Sequence, residues 1–242
     1  MKISLNQKVL VMLLGFCLLI PAVCHAEETR YHTSGIYTYY VLDEQKKEMS
    51  ICAVSSTEKK LVIPSELDGY RVRRIGYPEG DHYEEAKKIG GGIDQYLEEV
   101  VIPDTVQRIQ ALTFYECKQL SGVTLPENIT LGYACFSGCD RWKTIVLPQN
   151  TSCEDSALPW NADTLQISNS IFGEGVVGGN VNRIMLSAKQ NTVFDMGVSW
   201  VSAKVKELVS PKQVTKLLFN GADGENVVEK LYVNGRGTKV EA

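Results

Sequence analysis

The chain has 242 residues, of which 44% are hydrophobic and 22% are charged, and its formal net charge is −4. This length is enough to bury a continuous core in one elongated domain. The negative net charge argues against a nucleic-acid partner, because proteins that bind nucleic acids present basic surfaces.

The first 26 residues predict a secretory signal peptide. Two lysines precede an apolar run over residues 9–23, and small residues stand before the expected cleavage site after Ala26. The run is too short for a strong membrane span, which needs about 20 apolar residues, and no second apolar stretch follows it. We therefore expect a secreted or cell-surface protein without a transmembrane segment. A lipid anchor at Cys24 is the less favoured alternative, since the bulky Val23 precedes that cysteine.

Residues 27–58 predict a leader followed by a capping hairpin. Strand-like runs over residues 35–42 and 49–54 flank a polar stretch over residues 43–48. Because an uncovered parallel edge recruits other chains, we expect this hairpin to cover the first repeat of the following domain.

A repeated phrase organises residues 59–242. LEEVVIP at residues 97–103 recurs as LSGVTLP at 120–126 and as WKTIVLP at 142–148. The first apolar residue of each copy marks the register at intervals of 19 to 24 residues: Leu97, Leu120, Trp142, Ala162, Val181, Val205 and Val228. A period of this length predicts a solenoid, in which each unit contributes one strand and a return segment and buries its core against its neighbours.

Core positions follow from the spacing within each phrase. The last two apolar residues lie two positions apart, as in Val100 and Ile102, so both side chains point to one face of a strand. The proline that follows lacks an N–H and ends the strand. In the return segments, Phe114 and Phe136 occupy equivalent positions, and we expect their rings to fill the space behind the strands.

Two of these copies resemble a known family. LEEVVIPDTVQRIQALTFYEC at residues 97–117 and LSGVTLPENITLGYACFSGC at 120–139 are similar to the BspA-type leucine-rich repeats of bacterial surface proteins, and KLVIPSELDGYRVRRIG at 60–76 is similar to an opening repeat. The resemblance implies a right-handed solenoid, with parallel strands on one side and irregular or short helical turns on the other. It also implies adhesion to host or neighbouring-cell components. The Phe and Cys positions are missing from the first repeat and after residue 148.

Five cysteines follow the predicted signal peptide: Cys52, Cys117, Cys135, Cys139 and Cys153. The odd count argues against a complete disulfide framework. Cys117 and Cys139 occupy equivalent repeat positions, and stacked strands about 4.8 Å apart would bring them close enough for a disulfide. A column of buried thiols is the alternative that we favour.

An insertion separates the first two repeats over residues 77–96. It contains Tyr77, His82 and Tyr83, and it is longer than an ordinary connection between repeats. Loops of this kind often carry recognition, so we take those three residues as candidate partner contacts. The alternative is an elaboration without function.

Residues suited to catalysis or metal binding are scarce. His32 and His82 are the histidines of the predicted mature chain, and no His and Cys residues stand at the close spacing of a metal site. His82 with the acidic residues 84–85 could support acid–base chemistry, but a solvated polar loop explains these residues more simply. We therefore predict a non-enzymatic protein without a cofactor or metal.

The outward side chains of the strands give the best candidate for a functional site. The residues between the last two core positions of each repeat are mostly apolar: Val62, Val101, Thr124, Val146, Gln166, Met185, Val209 and Tyr232. An apolar strip beside charged residues is typical of a surface that binds a protein or glycan partner, although high strand propensity alone would also favour valine and tyrosine there. A different hypothesis is a structural or assembly module, in which the uncapped C-terminal edge stacks on other chains, including copies of this one.

Overall fold

The computed structural model describes residues 31–77, 95–168, 171–172, 177–187, 193–195, 200–212, 214, 216–218, 227–235 and 237–241. The predicted signal peptide and the central part of the insertion, residues 78–94, lie outside the described residues. Within the described part of the chain, no helix is long and apolar enough to cross a membrane.

One side of the solenoid consists of two parallel sheets, which together we call the strand face. The first contains β4 (Lys60–Val62), β7 (Glu99–Val101) and β9 (Gly122–Thr124). The second contains β11 (Thr144–Leu147), β13 (Ala162–Ile167), β15 (Val177–Leu186), β17 (Trp200–Ser210) and β19 (Val227–Val233). The predicted register is confirmed in the later repeats, where Ala162 pairs with Val181, Val181 with Val205, and Val205 with Val228.

The return side also forms parallel strands. The longer run contains β6 (Tyr70–Ile75), β8 (Arg108–Ile109), β10 (Thr130–Leu131), β12 (Ser152–Cys153) and β14 (Ile171–Phe172). A separate sheet contains β16 (Val193–Asp195), β18 (Lys216–Leu218) and β20 (Lys239–Glu241).

Turns connect these return strands, as the resemblance implies for this side, and the described residues contain no helix. The 22-residue period stacks equivalent peptides, so Thr130 N donates to Gln107 O at 2.9 Å and Ser152 N donates to Ile129 O at 2.8 Å.

The predicted hairpin is present as β2 (Tyr37–Asp43) and β3 (Glu48–Val54), which pair antiparallel. It docks on the return side, because β3 pairs with β6 and not with β4. Strand β3 is apolar on both faces, and Met49, Ile51 and Cys52 are fully buried, so it needs a covered position between two strands. On the strand face, the Tyr37 hydroxyl donates to Val62 O at 3.3 Å.

Two short strands accompany this cap. β1 (Tyr31–Ser34) extends the hairpin within the segment that we predicted as a leader, and it pairs antiparallel with β2. β5 (Glu66–Leu67) pairs antiparallel with β6.

Aromatic rings stack in the core behind β7, β9 and β11. Phe114 and Phe136 are fully buried, with ring centroids 5.2 Å apart and ring planes 2° from parallel. Trp142 meets Phe136 edge-on at 5.0 Å. The prediction that the two phenylalanines fill this space is confirmed.

The strand face is interrupted between β9 and β11, which form no ladder although every residue of 95–168 is described. Trp142 lies at this point and is 1% exposed, at the register position held by Leu120 and Ala162 in the neighbouring repeats. On the return side, β10 and β12 stay paired.

Candidate functional site

The eight outward residues predicted from the sequence lie in one column of the strand face, which we call the outward column. Its members pair in register: Val62 with Val101, Val101 with Thr124, Val146 with Gln166, Gln166 with Met185, Met185 with Val209, and Val209 with Tyr232. The interruption between β9 and β11 separates Thr124 from Val146.

Several large side chains of the outward column are open to solvent. Val62 is 57% exposed, Tyr232 48%, Val146 43% and Met185 39%. Thr124 is also exposed, whereas Val101, Gln166 and Val209 are half-buried. In β11, Val146 lies between the buried Ile145 and Leu147, as the alternation of a strand requires. The column is therefore an apolar strip at the surface and separate from the core.

A second column, two residues earlier in each strand, is polar and follows the strip along its length. It contains Lys60, Glu99, Gly122, Thr144, Thr164, Arg183, Glu207 and Lys230, paired in register on each side of the same interruption. Lys60 forms an ion pair with Glu99 at 2.9 Å, and Arg183 forms one with Glu207 at 2.7 Å. Exposed pairs of this kind contribute about 0–1 kcal/mol to stability, so their main effect is on the charge pattern of the surface.

Of the three candidates from the insertion, the structure describes Tyr77, which does not lie on this strip. Tyr77 is half-buried at the end of β6, on the return side, and its ring centroid lies 5.6 Å from that of Tyr31 in the cap. His82 and Tyr83 lie outside the described residues.

Sequence reasoning missed a depression on the strand face. It has a volume of about 410 Å³ and is lined by β13, β15, β17 and β19. The lining residues are Asp163, Thr164, Asn182, Arg183, Lys206, Glu207, Glu229 and Lys230. A signal for it exists in the sequence, because two successive polar residues stand between the first two core positions of each of these strands.

The five described cysteines are buried thiols without disulfides. Cys139 Sγ donates to Phe114 O at 3.1 Å, and a hydrogen bond with Cys117 together with burial holds the pKa of Cys139 well above its ordinary value. Burial raises the pKa of Cys52 to about 12 and raises the pKa of Cys135 and of Cys153 as well. The four thiols with a raised pKa, those of Cys52, Cys135, Cys139 and Cys153, are protonated near neutral pH, and a protonated thiol is neither a nucleophile nor a metal ligand. Among the described residues, no group of three or more His, Cys, Asp and Glu side chains could hold a metal ion.

Comparison with solved structures shows the fold. A leucine-rich cell surface protein from Faecalibacterium prausnitzii matches 83% of this chain with a TM-score of 0.52 and 20% identity, and the match covers 55% of that protein. A leucine-rich repeat protein from Bacteroides ovatus matches 81% with a TM-score of 0.51 and 17% identity, and the match covers 57% of that protein. The T. pallidum leucine-rich repeat protein matches 72% of this chain and 86% of its own length, with a TM-score of 0.50 and 17% identity. The chain thus spans little more than half the length of the first two.

Comparison with sequences locates the repeats. No curated protein matches the sequence. The model of the BspA type leucine-rich repeat region matches residues 94–172 in six copies, which confirms the resemblance that the repeated phrase predicts. The chain is thus a parallel β-solenoid that carries a BspA-type leucine-rich repeat region over residues 94–172.

Proposed function

We propose that this chain is a secreted or cell-surface, non-enzymatic binding protein that holds a protein or glycan partner on its strand face, in an adhesion-type role. The observation that carries the proposal is the outward column. Its apolar side chains lie in register at the surface, and several of them are exposed to solvent instead of buried in the core. A cell-surface location is supported by the Faecalibacterium prausnitzii protein of the same fold, which is described as a cell surface protein.

The size of the column fits an interface. Strands stacked about 4.8 Å apart give a strip roughly 10 Å long from Val62 to Thr124 and one roughly 19 Å long from Val146 to Tyr232. A stable protein interface buries about 800 Å² on each partner, with apolar residues at its centre and charged residues at its rim. The outward column and the polar column beside it have this arrangement.

An array of extracellular-matrix proteins and glycans tests the proposal. The triple variant Val62→Glu, Val146→Glu, Met185→Glu places three charges in the outward column. The core stays intact because these residues are exposed, and we expect binding to the native protein's ligands to be lost. The matched control carries the same three charges at exposed apolar residues away from the column, as Ile36→Glu, Tyr133→Glu, Val240→Glu, and it keeps the ligands. If the triple variant in the column binds the same ligands as the native protein, the strand face is not the binding surface.

A second candidate function is self-assembly through the edge of the last repeat. Among the described strands, β19 pairs only with β17 and β20 only with β18, and Tyr232, Val233 and Val240 are exposed along this edge. Light scattering on residues 27–242 separates the candidates, because stacking requires the mass to rise with protein concentration. A mass that stays at the monomer value up to the highest concentration reached would exclude assembly by this route.

A further inference from the structure

The depression between β13 and β19 has the chemistry of a carbohydrate site, and we propose that it binds a neutral saccharide. This inference rests on the proposed function and deepens it, because it assigns one ligand class to one part of the strand face. The volume of about 410 Å³ lies at the lower end of the range of small-molecule sites, about 300–1,000 Å³, and it suits one or two sugar rings.

The floor of the depression follows from the spacing of core residues. Ala162 and Leu165 are both buried, and Asp163 and Thr164 between them face outward; the same pattern recurs around Asn182 with Arg183 in β15. Each strand therefore presents two successive polar side chains, where an ordinary strand presents one. Stacking these strands about 4.8 Å apart concentrates hydrogen-bonding groups in a small area.

Four of the seven charged and amide side chains in the lining are held by hydrogen bonds to one another. Asn182 Nδ2 donates to Asp163 Oδ1 at 2.9 Å. Arg183 donates from Nε and Nη2 to Glu207 Oε2 at 3.0 and 2.7 Å. Groups that are already oriented lose little entropy when a ligand binds.

Other groups are available to a ligand. Within the described part of the chain, the side chains of Lys206, Glu229 and Lys230 form no hydrogen bond or ion pair. They supply donors and acceptors next to the fixed pairs, so an incoming molecule does not have to break an existing contact to reach them.

The balance of charge selects a neutral ligand. The lining contains three acidic residues and three basic residues, so the depression carries no net charge and strongly favours neither anions nor cations. Sugar hydroxyls both donate and accept hydrogen bonds, which matches a lining of alternating donors and acceptors. Tyr232 lies two residues after Lys230 on the same outward side and is 48% exposed. Its ring can pack against the C–H face of a pyranose at the rim.

The test is an array of neutral oligosaccharides with sialylated and sulfated counterparts, followed by calorimetric titration of the best neutral ligand. The native protein binds a neutral oligosaccharide, and the affinity stays the same when NaCl is raised from about 0.15 M to about 0.5 M, because salt screens only charge–charge attraction. The double variant Asp163→Ala, Glu229→Ala loses about ten-fold or more in affinity, since two charged acceptors are removed. The matched control Glu98→Ala, Glu99→Ala removes two carboxylates from outward positions of the first sheet, where they pair with Lys59 and Lys60, and it binds like the native protein.

Three results overturn the inference: no neutral saccharide binds, only the acidic glycans bind, or both double variants lose affinity equally. The array of matrix proteins separates a failure of the saccharide site from a failure of the proposed function. If a matrix protein binds and the triple variant of the outward column loses it while no saccharide binds, the saccharide site is wrong and the proposed function stands. If neither kind of ligand binds, both are wrong.

Discussion

Replacing Phe136 with leucine tests whether ring stacking, and not buried volume alone, stabilises the repeats. Phe136 contacts two aromatic partners, Phe114 at 5.2 Å and Trp142 at 5.0 Å. Phe114 is equally buried. Among the described residues, its ring stacks on one other aromatic ring, that of Phe136. Phe114→Leu is therefore a control that removes the same side-chain volume but loses one aromatic pair, whereas Phe136→Leu loses two.

The magnitudes follow from those contacts. The change in buried volume costs about 1 kcal/mol in either variant, and each lost aromatic pair costs about 0.5–1.5 kcal/mol beyond it. We expect the free energy of unfolding to fall by about 2–4 kcal/mol for Phe136→Leu and by about 1.5–2.5 kcal/mol for Phe114→Leu. The exposed Tyr133→Leu should change it by less than about 0.5 kcal/mol.

The assay is equilibrium unfolding in urea, followed by circular dichroism and by tryptophan fluorescence. Coincident transitions and an unchanged slope with urea show that the variants are compared in the same two-state process. A Phe114→Leu variant that loses as much stability as Phe136→Leu, or more, would refute the assignment of an extra ring pair to Phe136.

Three further predictions concern backbone fit, thiol ionisation and turn conformation. Gly132→Ala places a methyl group 2.8 Å from backbone atoms of residues 109–111 and should lower the free energy of unfolding in urea by about 2 kcal/mol or more. Gly35→Ala, at a φ of +57° with open space around it, should lower it by only about 1 kcal/mol in the same urea assay. The Cys52 thiol ionises near pH 8.5 in the unfolded chain but has a pKa of about 12 when folded. The native state therefore binds more protons between these values, and this thiol alone should make stability fall with rising pH by up to about 1.4 kcal/mol per unit. Cys52→Ala should show a smaller slope than the native protein, and an equal slope would contradict the assignment. Asn150 has a φ of +59°, so Asn150→Gly should be tolerated while Asn150→Ala should lower stability by about 1 kcal/mol in urea unfolding.

The repeats, the core and the outward column could be predicted from the sequence because each depends on local spacing. Two apolar residues two positions apart define a buried face wherever the strand lies, and the residue between them points outward. This reasoning placed Val146 between Ile145 and Leu147, and it also placed Tyr232 in a late copy that the repeated phrase matches only loosely. Both placements follow from the spacing within one strand and do not depend on how neighbouring repeats stack.

Other features depend on how successive repeats stack, which the sequence pattern does not express. The docking of β3 on β6, the pairing of the return strands and the interruption between β9 and β11 each involve segments of different repeats or of the cap.

The sequence alone determined a stacked repeat, its register and the side chains that face solvent, because strand alternation and a fixed period are local properties. The tertiary structure alone decided which polar side chains of different repeats meet. Asp163 and Asn182 are 19 residues apart in the sequence, yet their side chains are hydrogen-bonded at 2.9 Å. Contacts between residues so far apart in the chain form only when the repeats stack in register, and the depression that we assign to a saccharide is made of such contacts.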